Sequence, residues 1–280
     1  MMKLRKLLNR GDQVSSYKLV ALDMDGTLLD DNLKISARNK EKILRLVKEG
    51  IHVVLATART FKAASYYAKE LGLDIPIITY NGSLIKEVIT GKVIYSKQII
   101  NSAAKEILTI GEKLNVYTKV YINDVLYVEG EAEEAVSFSQ KHRISYKVIG
   151  KLSENINDDP YMIVFKDHKE KINKAIEYLN NSISLPISFT LSTLNSLEVM
   201  DKGVSKATAL ECLTNELGID RNEVIAIGNS LNDYEMISWA GLGVAMKNSD
   251  KQLLDKWDII SQYDNNKDGI SHVLDKYCLY

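Results

Sequence analysis

Cysteine is scarce: Cys212 and Cys278 are the only two in 280 residues, far apart and in no Cys-x-x-Cys pair. Neither a disulfide framework nor a thiolate zinc site can be built from them, and a reducing compartment fits. An excess of either charge is lacking as well. The 36 Lys+Arg stand against 37 Asp+Glu, a formal net charge of −1, so no global field draws the chain to nucleic acid or to an anionic membrane. Long apolar runs are also missing. The basic N-terminus MMKLRKLLNRGDQVSSYK holds nothing longer than Leu7-Leu8, short of a signal-peptide core, and no stretch of about 18 apolar residues occurs. These gaps predict a soluble, unexported, cytoplasmic protein with no nucleic-acid or membrane partner. Residues 1-16 read as a polar extension, and nothing in the sequence signals an oligomeric state. What the chain does have is a 45% hydrophobic content, enough to bury the core of one large or two modest domains.

The first third alternates short apolar runs with longer amphipathic ones. Lys18 to Leu22 predicts a buried strand, and Ser36 to Glu49 a helix capped by Ser36 and stopped by Gly50. His52 to Ala56 predicts a strand, Thr60 to Leu71 a helix, and Pro76 to Tyr80 a third strand. That order is βαβαβ, hence a parallel sheet with right-handed crossovers and a ligand crevice at the carboxyl ends of its strands. After Asn81-Gly82 the rhythm changes. Hairpins are expected about Thr90-Gly91 and Asn123-Asp124, helices over 100-114 and 131-142, and a strand from Tyr161 to Lys166. A helix near 168-180 and strands near 183-191 and 195-200 complete this mixed stretch. From Lys202 the first order returns, with a helix over 203-217, the strand Val224 to Ile227, a short helix from Leu231 and the strand Gly243 to Met246. The predicted fold is α/β, a doubly wound parallel-sheet core domain (17-82 and 198-280) with an inserted α+β cap domain (83-197).

The first strand runs into DMDGTLLD, residues 23-30. With a side-chain period of two, Asp23 and Asp25 project to one side where the strand leaves the sheet. Two such carboxylates repel unless a cation neutralises them, which suits a divalent metal with one acid as nucleophile and the other as proton donor. Gly26-Thr27 lets the backbone turn sharply there, with amides free for an anion. Thr57 and Arg59 follow the second strand. A hydroxyl at Thr57 can hold a phosphoryl oxygen beside a helix N-terminus, although alone it would read as the cap of that helix. Lys206 falls one turn into the helix begun by Asp201 to Ser205, and alone would read as a surface charge. GNSLNDYEMI, residues 228-237, is another strand end passing through Gly into polar residues, with Asn229, Asn232 and Asp233 placed to surround a metal. Asp264-x-Asn266-x-Asp268-Gly269 with Asp275 imitates a calcium loop. However, Asp258 to Ser261 reads as a strand rather than an entering helix, and the last position is Asp instead of Glu, so a polar turn capping the last helix is expected. His52, His142, His168 and His272 are dispersed and are assigned no catalytic role.

Together, DMDGTLL, a Thr at the second strand end, Lys206 after an intervening domain, and GNSLNDYEMI followed by AGLGVAM (residues 240-246) resemble the haloacid-dehalogenase superfamily of phosphatases, most of all its Cof-type members. Asn81-Gly82 before the insert and Met246 followed by Asn248 fit the same subgroup, and the resemblance covers about residues 17-275. It implies that Asp23 attacks phosphorus, that Asp25 protonates the leaving alcohol and then activates water, and that Thr57 and Lys206 hold phosphoryl oxygens. It also implies Mg²⁺ bound by Asp23 and the Asp25 carbonyl. Asn232 would lie near the phosphate or Lys206, and Arg59, Asn81 and Asn248 near the substrate, a small phosphorylated metabolite such as a sugar phosphate. One position departs. The family has Asp after the Gly of the last motif, and here it is Asn229, so a neutral amide replaces a carboxylate ligand unless Asp233 supplies the charge. That departure opens a second expectation, a weakly active or inactive phosphate-ligand sensor on the same fold. A phosphomutase is a third.

Overall fold

The structure is a computed structural model and describes residues 17–73, 76–181 and 186–278. The expected extension at 1-16 and the start of the strand expected near 183 lie outside the described residues. In chain order, β1 (Leu19–Leu22), α1 (Ala37–Lys48), β2 (His52–Leu55), α2 (Phe61–Glu70) and β3 (Pro76–Thr79) form the first βαβαβ unit. β4 (Leu84–Glu87) and β5 (Val93–Ser96) make a hairpin that pairs with β3, so the hairpin expected to open the insert prolongs the sheet before it. There follow α3 (Asn101–Leu114), β6 (Tyr117–Ile122), β7 (Val125–Val128), α4 (Glu133–His142), β8 (Ser145–Val148) and α5 (Leu152–Asn155). Next come β9 (Met162–Lys166), α6 (Lys169–Asn181), β10 (Ile187–Thr193) and β11 (Ser196–Asp201). The chain returns through α7 (Lys206–Leu217), β12 (Val224–Gly228), α8 (Tyr234–Trp239), β13 (Leu242–Ala245), α9 (Lys251–Leu254) and α10 (Gly269–Tyr277).

Strands β13, β12, β1 and β2 pair in parallel in that order, and a bridge from Ala56 to Ile78 attaches β3 beyond β2. Side chains alternate between two cores. Val20, Leu22, Val53 and Leu55 pack with Ile43, Leu46 and Ile270 on one face, and Leu19, Ala21, Val54 and Ala56 with Leu210, Leu213 and Met236 on the other. A strand covered by helices on both faces has no solvent side, which is why β1 is an uninterrupted apolar run. The sheet is thereby doubly wound, as predicted.

The cap sheet has the order β10-β11-β9-β6-β7-β8. Its residues alternate too. Val120, Ile163, Phe165, Leu197 and Val199 face α3 and α6, while Tyr121, Met162, Val164 and Met200 pack with Ala63 and Tyr80 at the carboxyl end of the parallel sheet. The cap therefore presents one face of a sheet to the crevice. Asn123 (φ 47°) and Asp124 (φ 64°) both take the left-handed conformation that the tight β6–β7 turn needs. β8 has no counterpart in the sequence reading, because it is an edge strand whose exposed, mixed residues lack a buried period. One helix start and one helix cap differ from expectation. α7 begins at Lys206, three residues later than read, because Gly203 (φ 77°) breaks the path and Ser205 caps the helix by accepting from the Thr208 amide at 3.2 Å. α2 is capped by Thr60, which accepts from the Ala63 amide at 3.2 Å, and this leaves Thr57 free of capping duty.

Candidate active site

β1, β2 and β12 end side by side, and the one or two residues after each bring Asp23, Thr57 and Asn229 into one cleft. Lys206 enters from the first turn of α7 with its side chain wholly buried. Its ammonium donates to Asp23 Oδ1 at 2.7 Å and to Asp233 Oδ1 at 2.7 Å. The other Asp233 oxygen accepts from the main-chain N–H groups of Asn229 (2.8 Å) and Ser230 (3.0 Å). Asp233, expected as a metal ligand, thus spends both oxygens on holding Lys206 and the loop after β12. Gly228 makes room for this, since a Cβ there would stand 2.4 Å from the Asp233 side chain. Burial opposes the charge on Lys206, but the two carboxylates outweigh it and raise the lysine above its usual range. Burial, reinforced by Asp233 and only partly offset by Lys206, pushes the Asp23 carboxyl up to about 7.

Asp25 opens on the cleft with 47% of its side chain exposed, and Arg59 grips it with Nε at 2.6 Å and Nη2 at 2.6 Å. Enclosure by the protein opposes ionisation of Asp25, yet this bidentate pair overrides it and holds the carboxyl below the usual range. Arg59, expected beside the substrate, is itself buried and committed to Asp25. Thr57 Oγ1 accepts from the Arg59 amide at 3.1 Å, which leaves its own hydroxyl proton for an anion. Of the two amides expected to be free in the turn, that of Thr27 is used, donating to the Met24 carbonyl at 3.2 Å.

The donors present suit a hard cation. In the orientation that satisfies its neighbours, the Asn229 amide nitrogen donates to the Asp25 carbonyl (3.0 Å), to Asp23 Oδ2 (3.2 Å) and to Thr27 Oγ1 (3.1 Å). A main-chain carbonyl, a carboxylate and an amide thus converge on one small volume, and rotation of the amide would turn its oxygen inward to complete an all-oxygen set. Gly26 (φ 74°) is required at the turn, because a Cβ would lie 2.5 Å from that amide. Among the described residues no group of three or more His, Cys, Asp or Glu side chains could hold a metal, so a cation here would depend on main-chain and amide oxygens.

The cleft encloses about 430 Å³ and continues onto the cap. Asn81 links the two sides: its Nδ2 donates to Glu198 Oε2 at 2.5 Å, and its Oδ1 accepts from Asn232 at 3.2 Å. Lys119, Phe138, His142 and Glu198 line the cap wall; the sequence had given His142 no catalytic role and had not singled out the other three. Asn248, expected near the substrate, is not part of the lining. It donates to the Gly26 carbonyl at 2.8 Å and accepts from the Asn265 amide at 3.2 Å, so it braces the Asp23–Thr27 turn from behind. The calcium-like segment also turns away from ligand binding. Asp264 caps a short 3₁₀ turn, and Asp275 pairs with Lys42 at 2.7 Å and with Arg38 at 3.5 Å on α1. Asp268 precedes α10 but makes no side-chain capping bond, unlike the cap expected there.

A family model described as haloacid dehalogenase-like hydrolase matches residues 20–274. The chain belongs to the haloacid dehalogenase-like hydrolases. It is 31% identical over 267 residues to the 5-amino-6-(5-phospho-D-ribitylamino)uracil phosphatase YcsE of Bacillus subtilis (strain 168), covering 94% of this chain and 96% of that protein. It is 28% identical over 269 residues to the 5-amino-6-(5-phospho-D-ribitylamino)uracil phosphatase YitU of the same organism, covering 92% of this chain and 97% of the relative. Among solved structures, a haloacid dehalogenase-like hydrolase from Bacteroides thetaiotaomicron superposes with a TM-score of 0.81 at 26% identity, covering 93% of this chain and 99% of the other. In this haloacid dehalogenase-like hydrolase the acidic turn, the threonine and the polar loop line one cleft, and the buried Lys206 joins them through its bond to Asp23. No helix among the described residues is long and apolar enough to cross a membrane.

Proposed function

We propose that the chain is a magnesium-dependent phosphatase that acts in the cytoplasm on small phosphorylated metabolites, sugar phosphates or similar phosphomonoesters, through an aspartyl-phosphate formed on Asp23. The observation that carries this reading is the pairing of Asp23 with Lys206 at 2.7 Å, on a strand end next to a free threonine hydroxyl and an oxygen-rich pocket. Phosphoryl transfer needs a nucleophile in line and positive charge on the oxygens, more than it needs covalent help. The relatives named above are called phosphatases, which supports the same chemistry.

In this reading an oxygen of Asp23 bonds to phosphorus as the ester P–O bond breaks, and the leaving alkoxide takes a proton from Asp25. A water then loses a proton to Asp25 and bonds to phosphorus as the Asp23–P bond breaks, which releases phosphate and restores both acids. Lys206 and the Thr57 hydroxyl hold the phosphoryl oxygens throughout. Asp23, the Asp25 carbonyl and Asn229 would hold Mg²⁺, which when bound supplies charge neutralisation between the nucleophile and the phosphoryl group. Asp25 is ionised while Arg59 holds it, so it takes up a proton from solvent as it leaves Arg59 and before it protonates the alkoxide, and it returns one to solvent when the pair re-forms. Arg59 holds the carboxylate between turnovers and is displaced from it during each one. The deciding experiment measures phosphate release from sugar phosphates, nucleotides and pyridoxal phosphate, with Mg²⁺ and with a chelator. Release that the chelator abolishes is expected. Asn229 favours the sensor as a second reading, and saturable phosphate binding with no release from any ester would establish it instead.

A further inference from the structure

Every buried ionised group at the base of the cleft has a partner: Lys206 has two carboxylates, and Arg59 has Asp25. Glu198 in the cap accepts from Asn81. Lys119 is different. It is 6% exposed, lines the cleft from β6, and its ammonium sits 4.2 Å from the centroid of the Phe138 ring. Among the described residues it makes no hydrogen bond and no ion pair; the neighbouring Lys166 takes Glu134 at 2.7 Å for itself. Glu198 attracts it through space but forms no ion pair with it. Lys119 and Glu198 both register with Val164, on opposite sides of β9, so they share a row and a face with their Cα atoms two strand spacings apart, roughly 10 Å. A ring face satisfies an ammonium only in part, and a nearly buried cation without an acceptor is a site prepared for an anion that comes from elsewhere.

We propose that Lys119 is a specificity-determining residue that binds a second anionic group on the leaving side of the substrate, so that the favoured substrates are phosphomonoesters carrying a further carboxylate or phosphate. This rests on the phosphatase reading, in which the phosphoryl group to be transferred occupies the Asp23 end. The second anion then falls at the cap end of the same 430 Å³ cleft. Glu198 repels it from the far side of Val164 and confines it to the Lys119 side, while Tyr121, Phe138 and Met162 cover the carbon skeleton between the two ends.

The test compares substrates that differ by one carboxylate: phosphoglycerate against glycerol phosphate, and phosphogluconate against sorbitol phosphate. The wild type is expected to show kcat/KM about tenfold higher for the acid of at least one pair, mostly through KM. Lys119→Met keeps the stem over Phe138 and should bring that ratio to about one, whereas Lys119→Arg should retain most of it. A wild-type ratio near one for both pairs, with phosphate release intact, overturns the inference and leaves the phosphatase reading standing. A Met variant that weakens both members of a pair equally marks Lys119 as structural and overturns it too. No release from these substrates or from p-nitrophenyl phosphate sinks both. Should the Met variant fail to fold, the wild-type ratio and the Arg variant still decide.

Discussion

The two ends of the cleft are built on opposite principles. At the Asp23 end each charge has its counter-charge: Lys206 lies between Asp23 and Asp233, and Asp25 is gripped by Arg59. At the cap end polar capacity stands open. Lys119 has no acceptor, and His142 Nδ1 is buried without a hydrogen-bond partner. Burial pushes the His142 imidazole down to about 4, so it faces the cleft neutral. A site that carries out the same chemistry on many esters benefits from rigid groups held in place by the protein itself. A site that chooses among esters needs groups that only the right ligand completes. The difference also tells how each end should respond to substitution.

The largest effect is expected from Asp23→Asn. It removes the nucleophile without changing side-chain shape, so phosphate release should fall by about a thousandfold or more while circular dichroism stays native. A variant that keeps a tenth of the wild-type rate would refute the assignment of Asp23. Lys206→Met probes the pairing itself. It leaves two buried carboxylates facing each other, and urea unfolding at neutral pH should show a loss of about 3–5 kcal/mol. Lys119→Met, which strands no partner, should cost less than about 1 kcal/mol in the same experiment. Equal losses would erase the contrast between the two ends.

Asn229→Asp addresses the one position where the acidic set is incomplete. The new carboxylate would lie beside Asp23 Oδ2, now 3.2 Å from the amide, so without Mg²⁺ the variant should melt at a lower temperature than the wild type. With Mg²⁺ it should gain more in melting temperature, and half-maximal activity should need about tenfold less metal, as about 1.4 kcal/mol of added attraction gives. Unchanged metal dependence would place Asn229 outside the metal's contacts. The smallest effect concerns pH. Burial, helped by Lys166 and opposed by Glu134 and Glu198, pushes Lys119 down to about 8. The other titratable groups facing it are Tyr117 and Tyr121 on its own strand and His142 on α4. The charged form predominates below that value and is lost above it. The preference for phosphoglycerate over glycerol phosphate should therefore fade severalfold between about pH 7 and about pH 9, and a preference that grows over that range would contradict the role given to Lys119.

The local alphabet of this protein settled the βαβαβ order, the residues that end each parallel strand and the family, because apolar runs, caps and strand-end turns act over a few residues. Asp23, Asp25, Thr57, Lys206 and the loop from Gly228 to Asp233 were legible for that reason: each sits where a strand or helix begins or stops, and the doubly wound order brings such places to one edge. Which of these groups pair with one another was not legible. Asp233 on Lys206, Arg59 on Asp25 and Asn248 behind the turn are choices among rotamers and registers separated by tens to hundreds of residues, and no local pattern encodes them. The cap wall was hidden for a related reason. Lys119, Glu198 and His142 come from two strands and a helix far apart in the chain, and each alone reads as an ordinary polar residue in an amphipathic element. Only the shared register with Val164 puts Lys119 and Glu198 in one row, and only the packing of α4 over that face lays Phe138 against Lys119, buries the ammonium and leaves it without a partner.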